Sequence, residues 1–197
     1  MRVKICGITN LNDALNAVNA GSSALGFVFY KKSLRYIEPS KALKIVEKLP
    51  PFVQSVALFV NETTEYINQT CKASKMQLAQ IIDDENIVDY AALEPKYMRV
   101  LRVKNKESLK DLKDEYYLVD AFVEEFGGAG KRVVLEWFKD INCSKLILAG
   151  GLNCENLKEL NGYGFYAVDV SSAVEVEKGK KDRDKMVEFI KRANEIY

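Results

Sequence analysis

Short runs of β-branched and aromatic residues return along the chain at intervals of about 25 residues, and apolar positions recur every three or four residues between them. The first pattern predicts strands at RVKIC (2–6), ALGFVF (24–29), VQSVALFV (53–60), KMQLA (75–79), YMRVLRV (97–103), YYLVDAF (116–122), KLILAG (145–150) and FYAVDV (165–170). The second predicts helices, clearest in LNDALNAVNAG, SKALKIVEKL, TTEYINQTCK and NCENLKELN. Asn10, Ser40, Thr63 and Asn153 stand where N-caps belong, and Gly21 stands where the first helix would close. Strands that each lead into a helical stretch predict parallel βαβ units, because a parallel pair needs a crossover of about a dozen residues or more. No linker divides the chain, so residues 1–197 are expected to form one α/β domain, a single (β/α)8 barrel. An open doubly wound sheet is the rival; the count of eight strands and the lack of GxGxxG before the first helix disfavour it.

Composition narrows the chemistry. With 48% apolar and 29% charged residues the chain can bury a core and keep a solvated surface, and 29 basic against 28 acidic side chains leave a net charge of +1. That balance lacks the electrostatic footprint of a nucleic-acid binder. No apolar run reaches the roughly 18 residues of a spanning helix, so no membrane partner is expected. The absence of histidine removes Ser-His-Asp and Cys-His catalysis and any His-ligated zinc site. The cysteines at 6, 71, 143 and 154 lack CxxC spacing, and the opening MRVKICG has no apolar signal region, which predicts reduced thiols in the cytoplasm and no metal. Proton transfer must then fall to Cys, Asp, Glu, Lys or Tyr.

In a barrel of this kind chemistry gathers at the C-terminal ends of the strands. Those ends carry Cys6-Gly7, Asp120, Gly150-Gly151 and Asp169-Val170-Ser171-Ser172. Cys6 shares side-chain parity with Lys4, so Val3 and Ile5 should face the helices while Cys6 sits at the mouth above a positive charge that favours its thiolate. Cys71, Cys143 and Cys154 read as structural. Asp120 ends an apolar strand, where desolvation would hold it protonated as an acid, although an N-cap or loop carboxylate is an equal reading. Asp169 reads as an orienting hydrogen-bond partner. The Gly150-Gly151 and Ser171-Ser172 turns match the place where many barrels bind phosphate through backbone N–H groups. FGGAGK (126–131) fails the Walker pattern and reads as a mobile lid, while Arg35 has the planar fork that clamps a carboxylate.

Taken together, KICGIT, GFVFYKKSLRYI, LVDAF, GGAGK, LAGGLNCENL and DVSSAVE followed by GKKD resemble the phosphoribosylanthranilate isomerases of tryptophan biosynthesis, from residue 2 to the C-terminus. The resemblance implies a (β/α)8 barrel working without cofactor or metal on a small phosphorylated sugar–anthranilate substrate. It implies an Amadori rearrangement with Cys6 as general base and Asp120 as general acid. Arg35 would lie near the anthranilate carboxylate, and Gly128, Gly150, Gly151, Asp169, Ser171 and Ser172 would complete substrate binding. Three positions depart from the family pattern: Gln77-Leu78-Ala79-Gln80 where Gln-Leu-His-Gly is usual, GGAG where GGTG or GGSG is common, and Ala173 where glycine is usual. A sugar-phosphate-binding barrel without turnover is the alternative that the missing His-Gly suggests, and retention of Cys6 and Asp120 argues against it. Other sugar-phosphate isomerases fit less well, since metal-dependent epimerases require histidines and a synthase would require Lys and Glu at several strand ends.

Overall fold

In the computed structural model, which describes residues 1–110, 112–121 and 132–196, eight parallel strands close into a barrel in chain order. They are β1 (Arg2–Cys6), β2 (Ala24–Val28), β3 (Gln54–Val60), β4 (Leu78–Ile82), β5 (Lys96–Val103), β6 (Tyr117–Ala121), β7 (Leu146–Leu148) and β8 (Ala167–Val170), with β8 pairing β1 to complete the ring. Period-two alternation explains how the barrel holds together. Val3, Ile5, Leu25, Phe27, Ala57, Phe59, Ala79 and Ile81 face outward into the main core beneath the helices. A second cluster, Met98, Leu118, Ile147, Ala149 and Ala167, fills the barrel itself.

Four α-helices are present among the described residues: α1 (Leu11–Ala20), α2 (Pro39–Val46), α3 (Thr64–Ser74) and α4 (Arg183–Asn194). Asn10 caps α1 by accepting from the Asp13 N–H, and Gly21, at φ 102°, closes it in the left-handed conformation that glycine adopts without strain. Thr63 caps α3 in the same way. Ser40 does not cap α2; Glu38 takes that position, and Pro39, its φ already set for a helix, is the first helical residue. The closing α4 buries Met186, Phe189, Ile190 and Ala193, with the larger three each contributing on the order of 1.5–3 kcal/mol.

Among the described residues between β4 and β8, the connections show single 3-10 turns at Tyr90–Ala92, Lys106–Leu109, Leu135–Phe138 and Leu157–Leu160 in place of the expected helices. Short connections fit this for the first two, since only residues 83–95 separate β4 from β5 and only 104–116 separate β5 from β6, against 7–23 around α1. The NCENLKELN stretch is one of these turns, with Asn153 accepting from the N–H groups of Glu155 and Asn156. Strand four also lies three residues beyond its expected start. Lys75 ends α3 in the left-handed conformation at φ 54°, and Gln77 is spent on a side-chain bond to Ser55, so pairing begins only at Leu78. A short hairpin, β9 (Glu175–Glu177) and β10 (Lys180–Lys181), follows β8. No helix among the described residues is long and apolar enough to cross a membrane.

Candidate active site

One cleft opens at the C-terminal ends of the strands, and Cys6, Arg35, Asp120, Gly150, Gly151, Asp169, Ser171 and Ser172 all line it. Gly128 and the 126–131 loop lie outside the described residues. Parity places Cys6 and Lys4 inside the barrel as expected, and both are buried. Lys4 Nζ donates to Asp169 Oδ1 at 2.9 Å, which makes Asp169 the carboxylate that fixes this ammonium. Burial alone would strip the Lys4 proton, but Asp169 and Cys6 outweigh it and hold the ammonium charged above its ordinary range.

Cys6 departs from the sequence expectation. Desolvation pushes its thiol above the ordinary 9.0, and the attraction of Lys4 is only the largest of the opposing effects. The ammonium that was to favour the thiolate is shared with Asp169, so burial wins and the resting thiol keeps its proton. Asp120 follows expectation in direction only: burial raises its carboxyl to about 6, against a hydrogen bond of 2.8 Å from the Ala121 N–H and with a further push from Asp169, which leaves it mostly ionised at neutral pH rather than protonated. The buried Cys71 and Cys143 thiols are pushed up to about 12 and about 11 by desolvation, as suits structural residues.

Glycines make room for these groups. A Cβ on Gly26 would stand 2.8 Å from Cys6 Sγ and 3.0 Å from Lys4 Nζ, so β2 must carry glycine beside that pair. At Gly7, with φ +81°, a Cβ would meet Arg35 Cδ at 2.5 Å. Arg35 itself is buried and grips Glu175 with two hydrogen bonds, Nε to Oε1 at 2.8 Å and Nη2 to Oε2 at 2.7 Å. The expectation set that fork against a substrate carboxylate; its Nε–Nη2 edge is instead taken by Glu175. Lys181, its side chain fully buried, donates to Glu175 Oε1 at 2.8 Å and reaches the Ser171 carbonyl at 3.2 Å. Ser171 Oγ in turn donates to the Cys6 carbonyl at 3.0 Å. Gly150 and Gly151 turn at φ 85° and 62°, conformations that leave backbone N–H groups able to converge.

Sequence reasoning missed Gly26, Gln80, Glu175 and Lys181. The glycine inside a strand was the available signal for the first; Glu175 and Lys181 lay within the quoted DVSSAVE and GKKD motifs without a role attached.

The family model for N-(5'-phosphoribosyl)anthranilate (PRA) isomerase matches residues 3–192. The chain belongs to this family. The N-(5'-phosphoribosyl)anthranilate isomerase of Nitratiruptor sp. is 56% identical over 98% of both chains, and that of Sulfurovum sp. is 52% identical over the full length of both. Among solved structures, the phosphoribosyl anthranilate isomerase of Thermotoga maritima superposes with a TM-score of 0.88 at 37% identity, all of each chain covered. A family structure in complex with reduced 1-(o-carboxyphenylamino)-1-deoxyribulose 5-phosphate superposes at 0.82, with 36% identity and full coverage of both chains. β4 spans Leu78–Ile82, so Gln77 precedes the strand while Gln80 and Ile82 line the cleft.

Proposed function

We propose that this chain converts N-(5'-phosphoribosyl)anthranilate to 1-(o-carboxyphenylamino)-1-deoxyribulose 5-phosphate, with Asp120 as acid and Cys6 as base. Asp120 donates its proton to the furanose ring oxygen; the C1′–O bond breaks, the anilino lone pair forms a C1′=N iminium, and a C4′ hydroxyl is released. Cys6 thiolate then takes the proton from C2′, whose bonding pair forms C1′=C2′ and neutralises the nitrogen. The enolamine becomes the ketone by losing a proton from the C2′ hydroxyl and gaining one at C1′. One proton has moved from Asp120 to Cys6, and its return resets the site. The observation that carries this reading is a single cleft holding a buried thiol beside Lys4 and a carboxyl raised to about 6 on strands β1 and β6.

The remaining residues divide the substrate among them. The Nη1 end of Arg35 faces the anthranilate carboxylate, the more firmly because Glu175 holds the guanidinium in place. Gly150, Gly151, Ser171 and Ser172, from the adjacent strands β7 and β8, receive the phosphate. Asp169 keeps Lys4 charged next to Cys6. Gly128 completes the binding set by family correspondence, and the domain spans residues 1–197. Following the loss of phosphoribosylanthranilate fluorescence tests the reading. Wild type should turn over, Cys6→Ala should lose about 10²–10⁴-fold in kcat with KM little changed, and inorganic phosphate should compete with substrate. Near-normal turnover by Cys6→Ala would remove the base assignment.

A further inference from the structure

Inside the barrel the polar side chains come with partners. Lys4 holds Asp169, Asp120 accepts from the Ala121 N–H, and Arg102 pairs with Asp84. Gln80 is different. It is 2% exposed, its Oε1 is buried without a hydrogen-bond partner, and neither end of its amide bonds to a described residue. Its strand neighbours in register are Leu58 on β3 and Met98 on β5, both apolar, so a leucine or methionine at position 80 would suit the surroundings better than an amide does. A buried carbonyl oxygen with no donor lowers stability and calls for an explanation. Gln80 lines the same cleft as Cys6 and Asp120, so the missing donor has a source: the ligand.

The chemistry of the substrate restricts which donor that is. Its carboxylate only accepts, so does its phosphate when doubly ionised, and its anilino N–H is engaged by the carboxylate ortho to it. The sugar hydroxyls donate and accept, matching both ends of an amide, and ring opening adds one more hydroxyl at C4′. We infer that Gln80 is a substrate-recognition residue whose Oε1 accepts a hydrogen bond from a hydroxyl of the sugar. This rests on the isomerase reading above. Binding converts an unsatisfied acceptor into a satisfied one, so the apo protein bears the cost and the complex recovers it.

Gln80→Met and Gln80→Leu test the assignment, because both keep the volume and remove the orphaned amide. Four measurements are read together: Tm without ligand, inhibition by inorganic phosphate, Kd for reduced 1-(o-carboxyphenylamino)-1-deoxyribulose 5-phosphate, and kcat/KM. The expected result is a Tm equal to or above wild type and unchanged phosphate inhibition, with Kd raised and kcat/KM lowered by about tenfold or more, since a site built for a hydroxyl is badly served by an apolar replacement. Values of Kd and kcat/KM within about threefold of wild type in either folded variant would overturn the inference. So would a lower Tm accompanied by loss of phosphate inhibition, which would make Gln80 a structural residue. Unchanged variants of an active wild type defeat this inference alone, whereas an inactive wild type defeats the isomerase reading and takes this inference with it.

Discussion

At neutral pH the pair formed by Cys6 and Asp120 shares one exchangeable proton, and that proton rests on the thiol. Burial raises the carboxyl to about 6 and pushes the thiol above its ordinary range, so the two titrate in the order opposite to the one catalysis uses. The reacting form, thiolate with neutral carboxyl, is therefore a minor tautomer before substrate binds. Its fraction is constant between the two titrations. In kcat/KM this predicts a rise through pH about 6, a plateau, and a fall only in the alkaline range beyond an ordinary thiol's titration, with the acid limb belonging to Asp120 and the alkaline limb to Cys6. A narrow optimum near pH 7 in steady-state kinetics would contradict this order. Asp120 also bears on stability. Its carboxyl holds a proton more tightly folded, at about 6, than unfolded, near 3.8, so its contribution is full below pH 3.8 and is lost as pH rises through about 6. Ionised at pH 7 it costs up to about 3 kcal/mol. Asp120→Asn is thus expected to collapse turnover while raising stability at pH 7, with the gain shrinking towards pH 4; urea unfolding at the two pH values measures it. The roles proposed for Cys6 and Asp120 came from the family resemblance, while their meeting in one cleft was legible from strand parity and from a carboxylate ending an apolar run. The thiol's resting state was not, because it depends on Asp169, 165 positions from Lys4 in the chain, and on a burial that only the closed barrel creates.

At the scale of elements, the β9–β10 hairpin acts as a brace for the site. Glu175 accepts from Arg35 and from Lys181, and although burial pushes its carboxyl up, those two cations hold it ionised below the ordinary range. The N–H of Lys181 is bonded at 2.7 Å to Asp13 on α1, so the same short hairpin is tied to the first helix. Glu175→Gln would leave two buried cations without their shared anion, at a cost of about 3–5 kcal/mol, and would let the Arg35 fork turn away from the cleft. The expected signature is a lower Tm together with a KM that rises more than kcat falls. Equal KM in the folded variant would show that Arg35 keeps its place without the brace. None of this was readable from pattern alone. Arg35 and Glu175 are 140 positions apart, and a two-residue strand such as Lys180–Lys181 has too few positions to display a period. The β4 register was missed for a related reason: KMQLA looks like a strand until Lys75 is seen closing the helix before it.

For the whole molecule, closure into eight parallel strands was legible because it needs only the alternation of short apolar runs with intervening chain, whereas the covering of the barrel was not. Helices coat the side reached from β1, β2, β3 and β8, and 3-10 turns of three or four residues are what the described residues offer over the side from β4 to β7. Cys6 stands on the first side and Asp120, on β6, on the second. Backbone amides of β1 to β3 should accordingly outlast those of β5 to β7 in hydrogen exchange, and equal protection would show that the barrel opens as one unit.

That uneven cover gives the two proton carriers different fates on warming. If the thinly clad flank loosens first, the enzyme is disarmed while most of its ellipticity survives, because the carboxyl drifts from its station as the thiol stays anchored. Heat inactivation of isomerase activity is then expected a few degrees below the midpoint followed by circular dichroism, and added phosphate, if it binds the β7 and β8 turns as proposed, should narrow that gap without closing it.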